Sequence, residues 1–440
     1  MTRGGEEIPL GLLKNKTNCG NINNIMSIVD IILYTTIFIS VYVQVLFLMS
    51  FFEKKKELSI YDLGNNIDLE NLPEVTFLVP CWNEEKSVVR TINSIKNLIY
   101  PANKIFIHMI DDGSIDNTWE ELNKFSNDPQ VIIFKKINGG KFTALNYSLN
   151  DVKTKYVSSF DADTTINQDA LIKIVSYFLK DDNISAVGGS ILIKSPKTMA
   201  QKAQSIEYQM FSFSKKVLAL LGGPLVVPGA FSMFKTKDLI KVGGWRDGHG
   251  LEDLELTYRM QVNGYKVEHS HDSIAFTTGP KTIRKLFIQR LRWGYGFLKN
   301  TEDYKTAIFN KKFGNFGIFT LPMSLVSYFV IVTVFGISWY HIFLFLYDKF
   351  VIFKLLGVKA LFGNVSFDLF YFNTKAMVFL SILTIIFFAI TIIMGRKISK
   401  VKEKNIGHVF YFFLLYSLIV PFWVIKNIWN AIISKRPAWR

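Results

Sequence analysis

The residues best suited to chemistry fall in four places. Asp111 and Asp112 stand in "DDGS", Asp161 and Asp163 in "DAD", Glu252 and Asp253 in "GLED", and Gln289, Arg290, Arg292 and Trp293 in "QRLRW". Taken alone, "DDGS" is ordinary turn chemistry, since Asp, Gly and Ser each favour tight turns. "DAD" sets two carboxylates on alternate positions. A hard divalent cation takes oxygen ligands, so such a pair can hold Mg2+ or Mn2+ together with substrate phosphates; a solvated strand-end turn would carry the same residues. Glu252 and Asp253 precede "LELTYRM" and open a helix, where first-turn carboxylates also suit the helix dipole. In "QRLRW" the planar fork of arginine suits bidentate phosphate binding. Basic and aromatic residues beside a membrane also serve simply as anchors.

Positioning these groups takes an alternating fold. "EVTFLVP" (74–80), "KIFIHMIDD" (104–112) and "KYVSSFDAD" (155–163) are short apolar runs rich in β-formers that end in polar turns. Helical patterns, "EKSVVRTINSIKNL" (85–98) and "TALNYSLNDV" (143–152), lie between them. Strands alternating with helices imply an α/β fold with a mostly parallel, doubly wound sheet, whose ligands sit at the carboxyl ends of the strands. The acidic residues of these runs all fall at those ends.

The chain has 440 residues, a formal net charge of +15 and 49% hydrophobic residues, with 39 Phe concentrated in long apolar runs. Much of the basic excess borders those runs, in "EKKKE", "NKKF" and "RKISKVKEK", which favours cytoplasmic membrane loops over a nucleic-acid groove. Cys19 and Cys81 make no disulfide framework, as expected of a reducing compartment. Residues 31–52 are uncharged and long enough to cross a bilayer. Lys54, Lys55 and Lys56 outweigh Lys14 and Lys16, placing the downstream side in the cytoplasm. The expected organisation is a tail (1–30), a transmembrane anchor (31–52), a cytosolic catalytic domain (53–313) and a C-terminal membrane domain (314–440). In that last part, 316–347, 376–394 and 409–433 read as spans and 350–372 as interfacial. This count places the basic tail "SKRPAWR" outside, against the positive-inside rule.

The ordered set Asp111/Asp112, Asp161/Asp163, Glu252/Asp253 and "QRLRW", on such a sheet beside membrane spans, resembles the family-2 inverting glycosyltransferases that build polymers at membranes: cellulose, chitin, hyaluronan and poly-N-acetylglucosamine synthases. The resemblance covers about 74–300 and extends to "VPCWNEE" (79–85), "GGKFTALN" (139–146) and "VPGAFSMFK" (227–235). Leu251 departs from it, because relatives often carry a small hydroxyl residue there. The resemblance implies a GT-A-like nucleotide-diphospho-sugar-binding domain flanked by transmembrane helices, in a multi-pass protein of the cell membrane with its catalytic domain in the cytoplasm. It implies Asp253 as general base with Glu252 beside it, and Asp163, helped by Asp161, as ligands of Mg2+ or Mn2+. Trp82, Glu84, Asp111, Asp112, Lys141, Asp161, Gln289, Arg290 and Arg292 would bind the nucleotide and its phosphates. Trp293, Gly229, Ala230 and Phe231 would face the acceptor.

The function so implied is transfer from a UDP-sugar, with UDP-N-acetylglucosamine preferred, to a growing β-linked polysaccharide, coupled to its passage across the bilayer. The alternatives are a non-processive enzyme adding one sugar to a lipid and a non-catalytic nucleotide-binding transporter. The partners are then the donor, a polysaccharide or glycolipid acceptor, the bilayer and any export subunit, but no nucleic acid. Of the other motifs, "HSH" (269–271) reads as structural histidine in a strand. "GHG" (248–250) reads as a hinge of the Glu-Asp loop. "SIEYQMFSFSKK" (205–216) reads as a helix lying along the membrane surface, with Tyr208 near the acceptor.

Overall fold

The computed structural model describes residues 28–59, 70–357, 376–400 and 406–437. Cys19, the tail residues 1–27, residues 358–372 of the expected interfacial segment and the last three residues lie outside these. The chain divides into two compact units, Met1–Val43 with Thr333–Ile385, and Gln44–Val332 with Ile386–Arg440.

The larger unit begins on the second half of α1 (Ile28–Glu53) and is organised by one sheet. β1 (Val75–Cys81), α2 (Val88–Lys96), β2 (Ile105–Asp112), α3 (Thr118–Asn123), β3 (Val131–Lys136), α4 (Lys141–Leu149) and β4 (Tyr156–Phe160) follow one another. Their strands pair in parallel in the order β3-β2-β1-β4. Neighbouring residues of β1, Phe77 and Leu78, are both fully buried, so both faces of this half are covered, as parallel sheets require. On one face α2 lays down Val88, Ile92 and Ile95 at helical spacing; on the other α4 supplies Ala144, Leu145 and Leu149.

The second half is β5 (Thr165–Ile166), α5 (Ala170–Lys180), β6 (Ile184–Ile193), α6 (Met199–Leu220), β7 (Phe231–Lys235), α7 (Thr236–Lys241), α8 (Glu252–Val262), β8 (Lys266–Thr277) and α9 (Ile283–Asp303). The full order is β3-β2-β1-β4-β7-β6-β8-β5. In this half β7 runs against both β4 and β6, and β5 against β8, while β6 and β8 pair in parallel, so the sheet is mixed with parallel pairings in the majority. The reversal has a consequence for the site. Phe231, the first residue of β7, pairs with Phe160, the last of β4. The loop before β7 is therefore delivered to the carboxyl end of β4, beside Asp161.

The same unit holds the end of α11 (Ala376–Ile398) and all of α12 (Ile406–Ile432). Helix α6 is not laid out on a surface. It is buried between the sheet, where Ser212 meets Ser190 at 2.9 Å, and α12, where Tyr416 donates to Glu207 at 2.6 Å. Helix α12 follows α6 and α9 along its length, through His408 against Ser205, Trp423 against Phe287, and Asn427 donating to the Arg290 carbonyl at 3.2 Å. Beyond α12, Arg436 makes two bonds to Asp247, at 2.7 and 2.9 Å. The tail therefore lies against the loop that opens α8.

The smaller unit is helical where described: α1 as far as Val43, α10 (Leu321–Leu356) from Thr333, and α11 as far as Ile385. Its large apolar side chains, Phe38, Trp339 and Phe343 among them, are exposed, as a bilayer-facing surface is. Helix α10 continues past the expected end of its span to Leu356. Three described helices are long and apolar enough to cross a membrane: Ile31–Glu53, Phe316–Leu355 and Gly407–Ile432.

Candidate active site

The ends of β1, β2 and β4 and the starts of β7, α4 and α8 converge at the carboxyl edge of the parallel strands. Lys141, the first residue of α4, is the hub. Its ammonium meets Asp161 Oδ1 at 2.6 Å and Glu252 Oε1 at 3.0 Å, and donates to the Gly229 carbonyl at 3.4 Å. Burial works against its charge, but Asp161, Glu252 and Asp253 outweigh that and raise its pKa above the ordinary lysine value. Burial also raises Glu252, with Asp253 adding to the effect and Lys141 opposing it.

Among the described residues the hydrogen bonds to Asp253 come from backbone donors. Its Oδ2 accepts the Gly229 N–H at 2.9 Å and its Oδ1 the Leu254 N–H at 2.8 Å. A Cβ at Gly229 would lie 2.8 Å from Lys141 Nζ, so a larger residue there would push the ammonium aside. Leu251, at the N-cap of α8, makes no side-chain cap. Its side chain packs instead over Gly296 of α9, so the departure from the family pattern exchanges a capping hydroxyl for a helix contact.

Asp163 lies two residues beyond Asp161, with Thr164 and Thr277 donating to its Oδ1 at 3.2 and 3.5 Å. Burial, then the charges of Asp161 and Glu84, push its carboxyl up to about 6. Negative charge thus accumulates around Asp163 without full compensation. Among the described residues no three acidic, His or Cys side chains sit together as a complete ligand set.

The two acids of "DDGS" part company. Asp111 is fully buried; its Oδ1 accepts the Ser114 N–H at 3.0 Å, and its Oδ2 has no hydrogen-bond partner among the described residues. Asp112 is committed inward: Lys136 at 2.6 Å, Gly139 N–H at 3.0 Å and Gly140 N–H at 2.8 Å bind its carboxylate. It organises the loop that presents Lys141. Trp82 and Glu84 follow the end of β1, and Glu84 Oε2 accepts Ser87 Oγ at 2.6 Å.

"QRLRW" is internal to α9 and its members face different ways, because residues two apart do not share a helix face. Arg290 is buried and paired with Glu207, and its guanidinium lies 4.2 Å from the centre of the Trp293 ring. Its Nη2 is committed to Glu207, while its buried Nε has no hydrogen-bond partner among the described residues. Arg292 and Trp293 are half-buried, and Gln289 accepts from Gln204 at 3.1 Å. Phe231 needs correction. It is fully buried, edge-on to Phe160 at 5.7 Å, and offers no face to an acceptor, whereas Ala230 is half-buried and Gly229 is buried beside it.

Glu207 and Tyr416 escaped notice in the sequence. The available signal was a lone carboxylate inside the aromatic stretch "SIEYQMFSFS", a placement that demands a buried partner. "HSH" is structural as expected, with His269 buried and its pKa lowered by burial. The "GHG" turn is pinned rather than hinged: Asn300 holds the Gly248 carbonyl at 2.7 Å and His249 meets Asp303 at 2.8 Å.

A mixed sheet with acids at its carboxyl edge and a carboxylate at the start of α8 defines a glycosyltransferase of the GT-A fold. A family model described as "Glycosyltransferase like family 2" matches residues 73–296, and the chain belongs to that family. It is 28% identical over 384 residues to the poly-β-1,6-N-acetyl-D-glucosamine synthase of Staphylococcus epidermidis, covering 87% of this chain and 88% of that one. To the synthase of the same description from Staphylococcus aureus strain COL it is 29% identical over 273 residues, 62% of this chain and 66% of that one. Among solved structures it is similar to the mannosyltransferase PcManGT from Pyrobaculum calidifontis in complex with GDP-Man and Mn2+. That likeness has a TM-score of 0.55 at 15% identity and covers 91% of this chain and 99% of that one, which establishes the shared fold.

Proposed function

We propose that this membrane glycosyltransferase transfers N-acetylglucosamine from UDP-N-acetylglucosamine to a growing β-1,6-linked polymer, with inversion at the anomeric carbon. The observation that carries this reading is the fixed Asp253 carboxylate beside Gly229, across from the Lys141–Asp161–Glu252 cluster. The likeness to poly-β-1,6-N-acetyl-D-glucosamine synthases over 87% of the chain supports the choice of sugar and linkage.

Asp253 takes the proton of the acceptor hydroxyl, whose oxygen attacks the anomeric carbon. The bond from that carbon to the diphosphate oxygen breaks on the opposite face, and UDP leaves with the electron pair. Asp163 and Asp161 fit a divalent cation, because hard oxygen donors two residues apart carry surplus negative charge there. When bound, the cation supplies Lewis-acid stabilisation of the diphosphate. Arg292, half-buried on α9, meets the departing phosphates in this reading, while Arg290 is paired with Glu207. The partnerless Asp111 Oδ2 suits an N–H or O–H of the nucleoside. Trp293, steadied by Arg290, offers its ring to the acceptor sugar.

The catalytic domain is cytoplasmic in this reading. Helices α1, α10 and α11 cross the bilayer, while α12 rides on α6 and α9 with the tail on the catalytic side. Release of UDP by the purified chain across a panel of UDP-sugars, followed by sizing and linkage analysis of the product, tests the activity. UDP release with a single-sugar glycolipid product would replace polymerisation by lipid glycosylation. Labelling of a Lys435→Cys variant from each side of sealed vesicles tests the topology, and labelling from the far side would reverse it.

A further inference from the structure

A cleft of about 1070 Å³ lies between α2, β5, the end of β6 and the polar end of α11. None of the residues assigned above to donor, acceptor or cation lines it. Its charge is one-sided. Among the described residues Lys86, Arg90, Lys173, Lys194, Arg396 and Lys400 line it against a single carboxylate, Asp169, which Lys173 already holds at 2.5 Å. Such a concave, single-signed lining concentrates anions, and lysine and arginine are the usual partners of phosphate oxygens.

Two atoms in the wall point to a ligand independently of charge. Ser399 Oγ and Gln209 Oε1, on side chains only 1% and 7% exposed, have no hydrogen-bond partner among the described residues. Buried polar atoms are almost always paired. Turned toward the cleft, Ser399 Oγ would donate to a phosphate oxygen and Gln209 Oε1 would accept from a hydroxyl. The position of the cleft narrows the source. Helix α11 is apolar up to Gly395 and turns basic at Arg396 and Lys397, which marks a cytoplasmic membrane boundary.

We propose that this cleft is a binding site for a phosphate-bearing anion, supplied by the hydroxylated headgroup of an anionic membrane lipid. The acyl chains would follow the apolar flank of α11 while the phosphate meets Lys194, Arg396 and Lys400. This site is separate from the transfer reaction, and its test does not depend on turnover.

The experiment reconstitutes the full chain in nanodiscs of phosphatidylcholine, with or without phosphatidylglycerol, and follows melting temperature and lipid retention by native mass spectrometry. Lys194 and Lys400 are both exposed, so a Lys194→Gln/Lys400→Gln variant should fold, and its melting temperature in phosphatidylcholine alone checks this. One lysine near an anionic lipid surface is worth roughly fivefold in affinity. Phosphatidylglycerol should therefore stabilise the native chain, and the double variant should need roughly tenfold or more additional lipid for the same shift. A Lys311→Gln/Lys312→Gln variant, altered just before α10, should keep the native response. Inorganic phosphate, titrated in phosphatidylcholine alone, separates the sources: a stabilisation that the cleft variant loses would keep the anion site but overturn the lipid as its ligand. Equal responses from native chain and cleft variant to both probes, or equal losses in both double variants, would overturn the site.

Discussion

Two buried charge clusters lie in the same unit and differ in how they are closed. At the sheet edge, Lys141 faces Asp161, Glu252 and Asp253, with Asp163 and Glu84 close by; carboxylates outnumber the cation. Between the helices, Arg290 faces Glu207, the Tyr416 hydroxyl also binds that carboxylate, and the Trp293 ring lies over the guanidinium. The second cluster satisfies its own charge and ties α6, α9 and α12 together. The first leaves negative charge uncompensated, which destabilises a protein unless a ligand supplies the balance. Surplus charge marks the site of chemistry, and balanced charge marks the frame that aims it.

The largest effect should come from the open cluster. Asp253→Asn should lower transfer by about 10²–10⁴-fold, the range for a lost general base, with UDP affinity nearly unchanged. Comparable turnover in the variant would take that role from Asp253. In the closed cluster the loss should be one of fold. Glu207→Ala leaves Arg290 buried without its partner and should cost about 3–5 kcal/mol, read as a lower melting temperature in detergent. Combining it with Arg290→Met should recover much of that cost while acceptor use stays impaired. A variant as stable as the native chain would erase the contrast between the clusters.

Trp293 joins the two regions. Replacing it by Ala removes ring burial worth about 1–3 kcal/mol, so polymer length should fall more than donor hydrolysis. Normal chain length per folded enzyme would make it an anchor only. Titration sharpens the comparison further. Asp163 is held up to about 6 by burial, Asp161 and Glu84. A raised carboxyl binds its proton more readily in the folded chain, so without a cation its contribution to stability declines as pH rises from 3.8 through about 6. A cation that needs the carboxylate competes with that proton. Stabilisation by Mn2+ should therefore grow as pH rises through 6 and weaken about tenfold in affinity per pH unit below it. A cation response that is flat from pH 5 to pH 7 would remove Asp163 from the cation site.

The smallest effect is expected at Leu251→Thr. The hydroxyl can cap α8, worth about 1 kcal/mol, but the contact over Gly296 is lost. The net change in stability should stay below about 1 kcal/mol. A shift of several degrees in melting temperature would show that the Leu251–Gly296 contact sets the height of the Glu252–Asp253 loop.

Alternating strand and helix patterns were legible in the sequence because they depend on local periodicity. β2 and β4 fall within the runs read as strands, and β1 overruns its run by Cys81 alone. The acids at their ends were legible for the same reason, since a strand's end places its next residues whatever its neighbours do. The antiparallel β7 was not legible, because pairing direction depends on which strand lies alongside, a contact between residues 160 and 231. Nor was the split within "QRLRW". Sequence supplies two arginines of equal chemistry, and only packing against Glu207 and Tyr416, far away in the chain, makes Arg290 the buried, paired one. The same holds for Asp111 and Asp112. Residue type and local spacing determined which groups are available; the burial and partners of each, made by distant segments, decided which remain open to a substrate.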